Sequence, residues 1–221
     1  MGKTSVLKNH HKEFLDLVIS EPYLLKRFYW TGGTVLSEFY LHHRESDDID
    51  LFSEKQEIHL PSINKFIGIA GQKLKAKGIT HRQYLGLHTY TLKLPHTILK
   101  VDFNYYPFTR LDKSNLWKGL QIDSLKDIAV NKVQTISTKP RERDFVDLYF
   151  IMQKSGWQLK DLIIFAKTKF DWHIDPIQLG QSFTQVVALE DVPKMLIKFK
   201  KSDLEKFFLE KAKELGKDIF Q

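Results

Sequence analysis

Between residues 28 and 52 the chain commits to one order of elements. The aromatic run Phe28-Tyr29-Trp30 reads as a short strand, and Gly32-Gly33 breaks it. From Thr34 onward, Val35, Leu36, Phe39 and Tyr40 recur at the three- and four-residue spacing of a helix face. Then SDDIDLF alternates, so Asp48 and Asp50 project to one side while Ile49 and Leu51 project to the other, the period of a strand with one buried face. The order is strand, glycine turn, helix, strand.

The remaining sequence supplies the elements around this core. Val6, Phe14, Leu15, Leu17 and Val18 fit an amphipathic helix between Ser5 and Val18. Residues 62–77 read as a helix that Gly78 closes as a C-cap, and 79–107, punctuated by Gly86 and Pro95, as a meander of two or three strands. In the last of these strands Val101, Phe103 and Tyr105 share one face and Lys100, Asp102 and Asn104 the other. Beyond Asp112 the pattern is helical almost throughout. Ser124 caps a helix to about Ser137, Pro140 suits the first turn of the next, and Gly156 closes that one. Further helices are expected at 158–169, 176–188 and 203–217, the last opened by a capping box, Ser202-x-x-Glu205. A boundary near 112 divides the chain into residues 1–112 and 113–221.

Composition narrows the chemistry. With 221 residues, 42% hydrophobic and 16 of them Phe, the chain can bury a sizeable core and is not a disordered tail. It has no Cys, so thiol catalysis, disulfides and Cys-based zinc sites are excluded. No apolar run approaches the ~20 residues of a membrane helix, and MGKTSVLKNHHKEF lacks the apolar stretch of a signal peptide. The expectation is a soluble, cytoplasmic protein with no membrane partner. A net charge of +7 favours polyanionic partners. The densest basic run, Lys194, Lys198, Lys200 and Lys201, is either a phosphate-backbone patch or a solvated surface.

Two features carry reactive chemistry. Glycines between a strand and a helix let the backbone approach a phosphate closely, although a tight turn alone also explains Gly32-Gly33. Carboxylates at i and i+2 on a strand project together, and Asp48 and Asp50 can share hard divalent cations; otherwise that face simply meets water. Asp102 supplies a third carboxylate if its strand lies beside the first. Three carboxylates around Mg²⁺ form an arrangement that holds a nucleoside triphosphate for phosphoryl or nucleotidyl transfer. The histidines His42, His43, His81, His88, His96 and His173 lack zinc-site spacing and read as surface or core residues.

The segment TGGTVLSEFYLHHRESDDIDLF resembles the first motif of DNA polymerase β-type nucleotidyltransferases: a Gly-Gly/Ser turn, a helix, then Asp-x-Asp on a strand. Its ending, Arg44 to Phe52, is similar to the AbiEii/AbiGii toxin family. A second block, SLKDIAVNKVQ followed by RERDFVDLYFI, resembles that family's Lys-bearing helix and the Arg-Asp-x-x-Asp helix after it. Residues 157–221 carry no motif of this kind. The resemblance implies an α+β nucleotidyltransferase fold with a small mixed sheet, followed by a helical C-terminal half, with the active cleft between the two. It also implies Mg²⁺-dependent transfer of a nucleoside monophosphate from a nucleoside triphosphate. Asp48, Asp50 and Asp102 would hold Mg²⁺, Gly32, Gly33 and Thr34 would cradle the phosphates, and Arg44 and Lys132 would contact the nucleotide. RNA is the implied acceptor, tRNA first, in a bacterial toxin with a cognate antitoxin or in a phage-defence system. Two other readings keep a protein or small-molecule hydroxyl as acceptor, or make the chain a non-catalytic RNA-binding module.

The second block can also be read without the family. Leu125, Ile128, Ala129, Lys132 and Ile136 share one helical stripe, so Lys132 sits among apolar residues. Its ammonium must snorkel to solvent, find a carboxylate or meet triphosphate oxygens. On the next helix Asp144 and Asp147 are i, i+3 neighbours. They either pair with Arg141, Arg143 or Lys132, or one of them assists deprotonation of the acceptor hydroxyl.

Overall fold

The computed structural model describes residues 5–171 and 174–219, without the side chains of 218 and 219. Contacts divide the chain into two units, the first formed by residues up to Phe39, Ser46–Thr109 and Lys113–Asp123, the second by Tyr40–Glu45, Arg110–Asp112 and everything from Ser124.

The first unit is built on a seven-stranded sheet. Its elements are α1 (Asn9–Ser20), α2 (Pro22–Arg27), β1 (Tyr29–Thr31), α3 (Gly32–Val35), β2 (Asp48–Ser53), α4 (Leu60–Lys73), β3 (Gly78–Tyr84), β4 (Leu87–Lys93), β5 (Ile98–Tyr105), β6 (Asn115–Trp117) and β7 (Leu120–Ile122). The strand order is β3-β4-β5-β2-β1-β7-β6. The sheet is mixed: β2 pairs parallel with β5 and β1 parallel with β7, whereas the other neighbours are antiparallel. In α4, Ile63, Phe66, Ile67 and Ala70 are buried at i, i+3, i+4 and i+7, which sets the face it lays on the sheet. Tyr90 and Phe103 lie on that covered side, where Tyr90 donates to Asn64 of α4 at 2.6 Å. Ile49, Leu51, Leu92, Leu99 and Val101 are fully buried on the same side. The strand partners of opposite parity, Asp48, Asp50 and Asp102 among them, therefore face the other way.

Several boundaries differ from the sequence reading. The first helix begins at Asn9, and a short second one follows Pro22. The helix expected to run to Gly78 stops at Lys73; Lys75 takes a left-handed conformation, and Gly78 opens β3 instead of capping. The helix after the glycine pair passes into a π-helical turn, Leu36–Leu41. Residues 113–123 are not helical. They form the β6–β7 hairpin, turning at Lys118 and Gly119, both at positive φ, and join the sheet through β7, so the first unit extends to Asp123 and not to 112.

The second unit packs α5 (Leu125–Thr138), α6 (Glu142–Ser155), α7 (Leu159–Phe170), α8 (Pro176–Thr184) and α9 (Lys201–Ile219), with a 3-10 turn at Gln185–Ala188. Ser124 caps α5 by accepting from the Asp127 N–H at 3.0 Å, as expected, and Gly156 ends α6 with φ of 74°. Arg141, not Pro140, flanks the start of α6, and α9 begins one residue before Ser202, which leaves the expected capping box inside the helix. Phe145, Phe183 and Phe208 meet at ring separations of 4.9, 5.1 and 6.4 Å and form the aromatic centre of this core. Lys169 and Asp127, both with fully buried side chains, pair at 2.8 Å.

One buried group makes the first unit acid-sensitive. His11 of α1 is fully buried, its Nδ1 accepting from the Lys8 N–H and its Nε2 facing the Asp47 carbonyl oxygen at 3.1 Å. Burial, opposed only in part by Asp47, pulls its pKa down to about 4. In the unfolded chain the imidazole titrates near 6.5, so between these values the unfolded state binds more protons and stability falls as pH falls. Denaturant unfolding at pH 7 and pH 5 is expected to show this loss, and His11→Asn, which cannot take up the proton, is expected to lose less between the two.

Candidate active site

The strand register assembles one polar row. Thr31 of β1 lies opposite Asp50 of β2, and Asp50 lies opposite Asp102 of β5. The adjacency of Asp102 that the sequence left open is thus present, on the same face of the sheet as Asp48 and Asp50. Lys100, two residues before Asp102, reaches between the strands, with its Nζ 3.2 Å from Asp48 Oδ2 and 3.0 Å from Asp102 Oδ2. Burial opposes its charge, but the carboxylates of Asp48, Asp102 and Asp50 outweigh burial and hold the ammonium above the ordinary lysine value. Sequence reading did not single out Lys100. The period-two pattern had already put it on the face of Asp102.

Gly32 is required where it stands. Its φ is +82°, and a Cβ there would lie 2.0 Å from Asp50 Oδ2, so no other residue fits without displacing that carboxylate. Thr34 is fully buried, and its hydroxyl donates to the Asp48 carbonyl at 2.5 Å and lies 3.0 Å from Ser46 Oγ. Its side chain therefore fixes the entry to β2, which leaves only its backbone N–H for a phosphate.

The donor set fits a hard divalent cation, since it offers carboxylate oxygens only, and Asp102 Oδ1 is buried without a hydrogen-bond partner. Among the described residues no three His, Asp or Glu side chains converge as a closed metal cluster, and the Lys100 ammonium holds the cationic position between Asp48 and Asp102. The histidines form no such group: His81 stacks on Tyr90 at 4.4 Å, and His173 lies outside the described residues.

The second motif block forms a separate charge network within the helical unit. Arg44 is only 4% exposed and binds Asp147 through two donors, Nε to Oδ1 at 2.6 Å and one terminal nitrogen to Oδ2 at 2.8 Å. His43 Nε2 lies 2.8 Å from the same Oδ1. Lys132 Nζ lies 2.6 Å from Asp147 Oδ2 and 2.7 Å from Asp144 Oδ1, and Asp144 also accepts from Arg141. Burial alone would raise both carboxylates, but the cations reverse this: Arg44 and Lys132 hold Asp147 well below the usual carboxylate range, and Lys132 and Arg141 depress Asp144. Depressed carboxylates are weak bases. Asp144 and Asp147 do pair with Lys132 and Arg141, and the network reaches further than expected by including His43 and Arg44. Of the basic run, Lys194 pairs with Glu45, and Lys201 donates to the Leu189 carbonyl, while Lys198 and Lys200 are exposed.

The glycine turn thus leads to the Asp-x-Asp strand, which lies beside a third carboxylate-bearing strand in a mixed sheet. The fold is shared with JHP933 from Helicobacter pylori, at a TM-score of 0.58 and 18% identity over 94% of this chain and 91% of that one. A second H. pylori chain, provisionally assigned as a nucleotidyltransferase, matches at a TM-score of 0.60 and 19% identity over 95% and 94%. The uncharacterized protein aq_aa25 of Aquifex aeolicus is 32% identical over 213 residues, covering 94% of this chain and 97% of that protein. The profile of the family described as "Nucleotidyl transferase AbiEii toxin, Type IV TA system" matches residues 13–215, and the chain belongs to that family. Membership implies a nucleoside triphosphate substrate and a cognate antitoxin. No described helix is long and apolar enough to cross a membrane.

Proposed function

We propose that this nucleotidyltransferase moves a nucleoside monophosphate from a nucleoside triphosphate onto a hydroxyl of an RNA acceptor, tRNA first, as the toxin of a toxin–antitoxin or phage-defence system. The single observation that supports the reading most is the shared row of Asp48, Asp50 and Asp102 on one sheet face beside the glycine turn. In the reaction the acceptor oxygen forms a bond to the α-phosphorus, the α–β bridging bond breaks, and pyrophosphate leaves. Asp48, Asp50 and Asp102 are the proposed holders of Mg²⁺, which when bound would neutralise phosphate charge and stabilise the attacking and leaving oxygens. Backbone N–H groups of Gly32, Gly33 and Thr34 would face the phosphates.

Lys132 is proposed to neutralise the triphosphate. Arg44, spent on Asp147, would position that network and not bind nucleotide directly.

The test is incubation of the protein with Mg²⁺, tRNA and each α-labelled triphosphate in turn. Label in RNA with release of pyrophosphate is expected. Label on protein or on a small molecule, with none in RNA, would overturn the acceptor.

A further inference from the structure

The register row that holds Asp50 and Asp102 continues beyond them. Across β5 and β4 the register places Thr89 opposite Asp102, and across β4 and β3 it places Arg82 opposite Thr89. Opposed residues share a face, so Asp50, Asp102, Thr89 and Arg82 form one line across four strands. At ~4.8 Å per strand, Arg82 stands about 10 Å from Asp102. The parallel line one step along runs from Asn104 through Leu87 to Tyr84, which is 75% exposed. On the other side Lys100, Thr91 and Thr80 form a third line, and Ile98, Lys93 and Gly78 a fourth beyond it. Arg82 and Lys93 are exposed, and neither has a carboxylate within ion-pair distance among the described residues. The opposite face of the same strands is the one α4 covers.

We infer that this open face of β3, β4 and β5 carries the single-stranded end of the RNA acceptor, with Arg82 and Lys93 on its phosphates and Tyr84 stacked on a base. The inference rests on the RNA-acceptor reading above and deepens it. Unpaired cations beside an exposed aromatic on a sheet suit single-stranded RNA, whose bases are free to stack and whose backbone is a line of charge. Thr89 and Thr91 between them are short, so a strand lying flat meets no obstacle before the carboxylates. Continuity with that row is what gives the surface a direction: a chain held at Arg82 can present its terminus at Asp102.

The test uses the whole protein, a fluorescein-labelled single-stranded RNA of about 12 nucleotides, and anisotropy across a salt series. Arg82→Ala with Lys93→Ala is expected to weaken binding about tenfold or more and to lower the salt slope by ~0.7 per lost phosphate contact. Tyr84→Ala is expected to weaken it about tenfold at unchanged slope, and Tyr84→Trp to restore it. Melting temperature and Mg²⁺–triphosphate binding should not move, and the KM for tRNA should rise in parallel with the loss of binding. If wild-type protein labels RNA but these variants keep its affinity and slope, the surface is overturned while the acceptor stands. If wild-type protein labels only a protein or small molecule and binds no RNA, both are overturned. If the variants lose self-association or antitoxin binding and keep RNA binding, the face is a protein interface and the inference is likewise overturned.

Discussion

Asp147→Ala is expected to destabilise the helical unit by ~3–5 kcal/mol, the usual cost of deleting one partner of a buried ion pair. Asp147 has no solvent-exposed surface and answers Arg44, Lys132 and His43 at once. Its loss leaves the Arg44 guanidinium buried with no carboxylate on Nε. Lys132→Met is expected to behave differently, because Arg44 still answers Asp147 and Arg141 still answers Asp144, so the remaining charges balance. Thermal melting should therefore show a large drop for Asp147→Ala and a small one for Lys132→Met, while triphosphate titration should show weakened binding for Lys132→Met. A large melting drop with unchanged nucleotide affinity in Lys132→Met would make that lysine purely structural. The depressed carboxylates also fix a sign with pH. Asp144 and Asp147 contribute stability that is complete above the unfolded carboxylate value near 3.9 and is lost as pH falls toward their lower folded values.

Asp50→Ala is expected to cut transfer by at least about a thousandfold, roughly 4 kcal/mol of transition-state stabilisation, with the fold intact. In this variant Lys100 keeps Asp48 and Asp102 as partners. Gly32→Ala tests the same carboxylate without deleting it. The new methyl would sit 2.0 Å from Asp50 Oδ2 on a backbone at φ +82°, so Asp50 must shift. A misplacement of about 1 Å can cost about a hundredfold in rate. Steady-state transfer assays with circular dichroism as the fold control would check both, and wild-type turnover in either variant would remove Asp50 from the site.

What could be read from the residues depended on range. Asp48 and Asp50 were visible because a period of two is local to one strand. The same rule puts Lys100 on the face of Asp102, though nothing in its own strand says that β2 lies alongside, and register between strands so far apart in sequence is not written in either. The β6–β7 hairpin was missed because three-residue strands show no periodicity; its turn, Lys118-Gly119, was the available signal. The helical half was legible as helices, through Ser124 and Gly156, but the partners of its buried charges were not. Burial of Lys132 followed from its stripe, whereas Arg44 meets Asp147 across about a hundred residues, and no spacing rule spans that distance.

Six residues between the glycine turn and the Asp-x-Asp strand, Tyr40–Glu45, belong to the second unit although both neighbours in sequence belong to the first. Arg44 adds a bridge to Met195 there, and the Glu45 N–H donates to the Lys194 carbonyl at 2.8 Å. The reactive motif is thus one word in the sequence and two in the fold. A fragment ending at Asp123 would hold every proposed metal ligand and still contain a stretch whose partners it lacks. A chain emerging from the ribosome therefore gains the partners of Tyr40–Glu45 only after α6 and the segment around Met195 have been made.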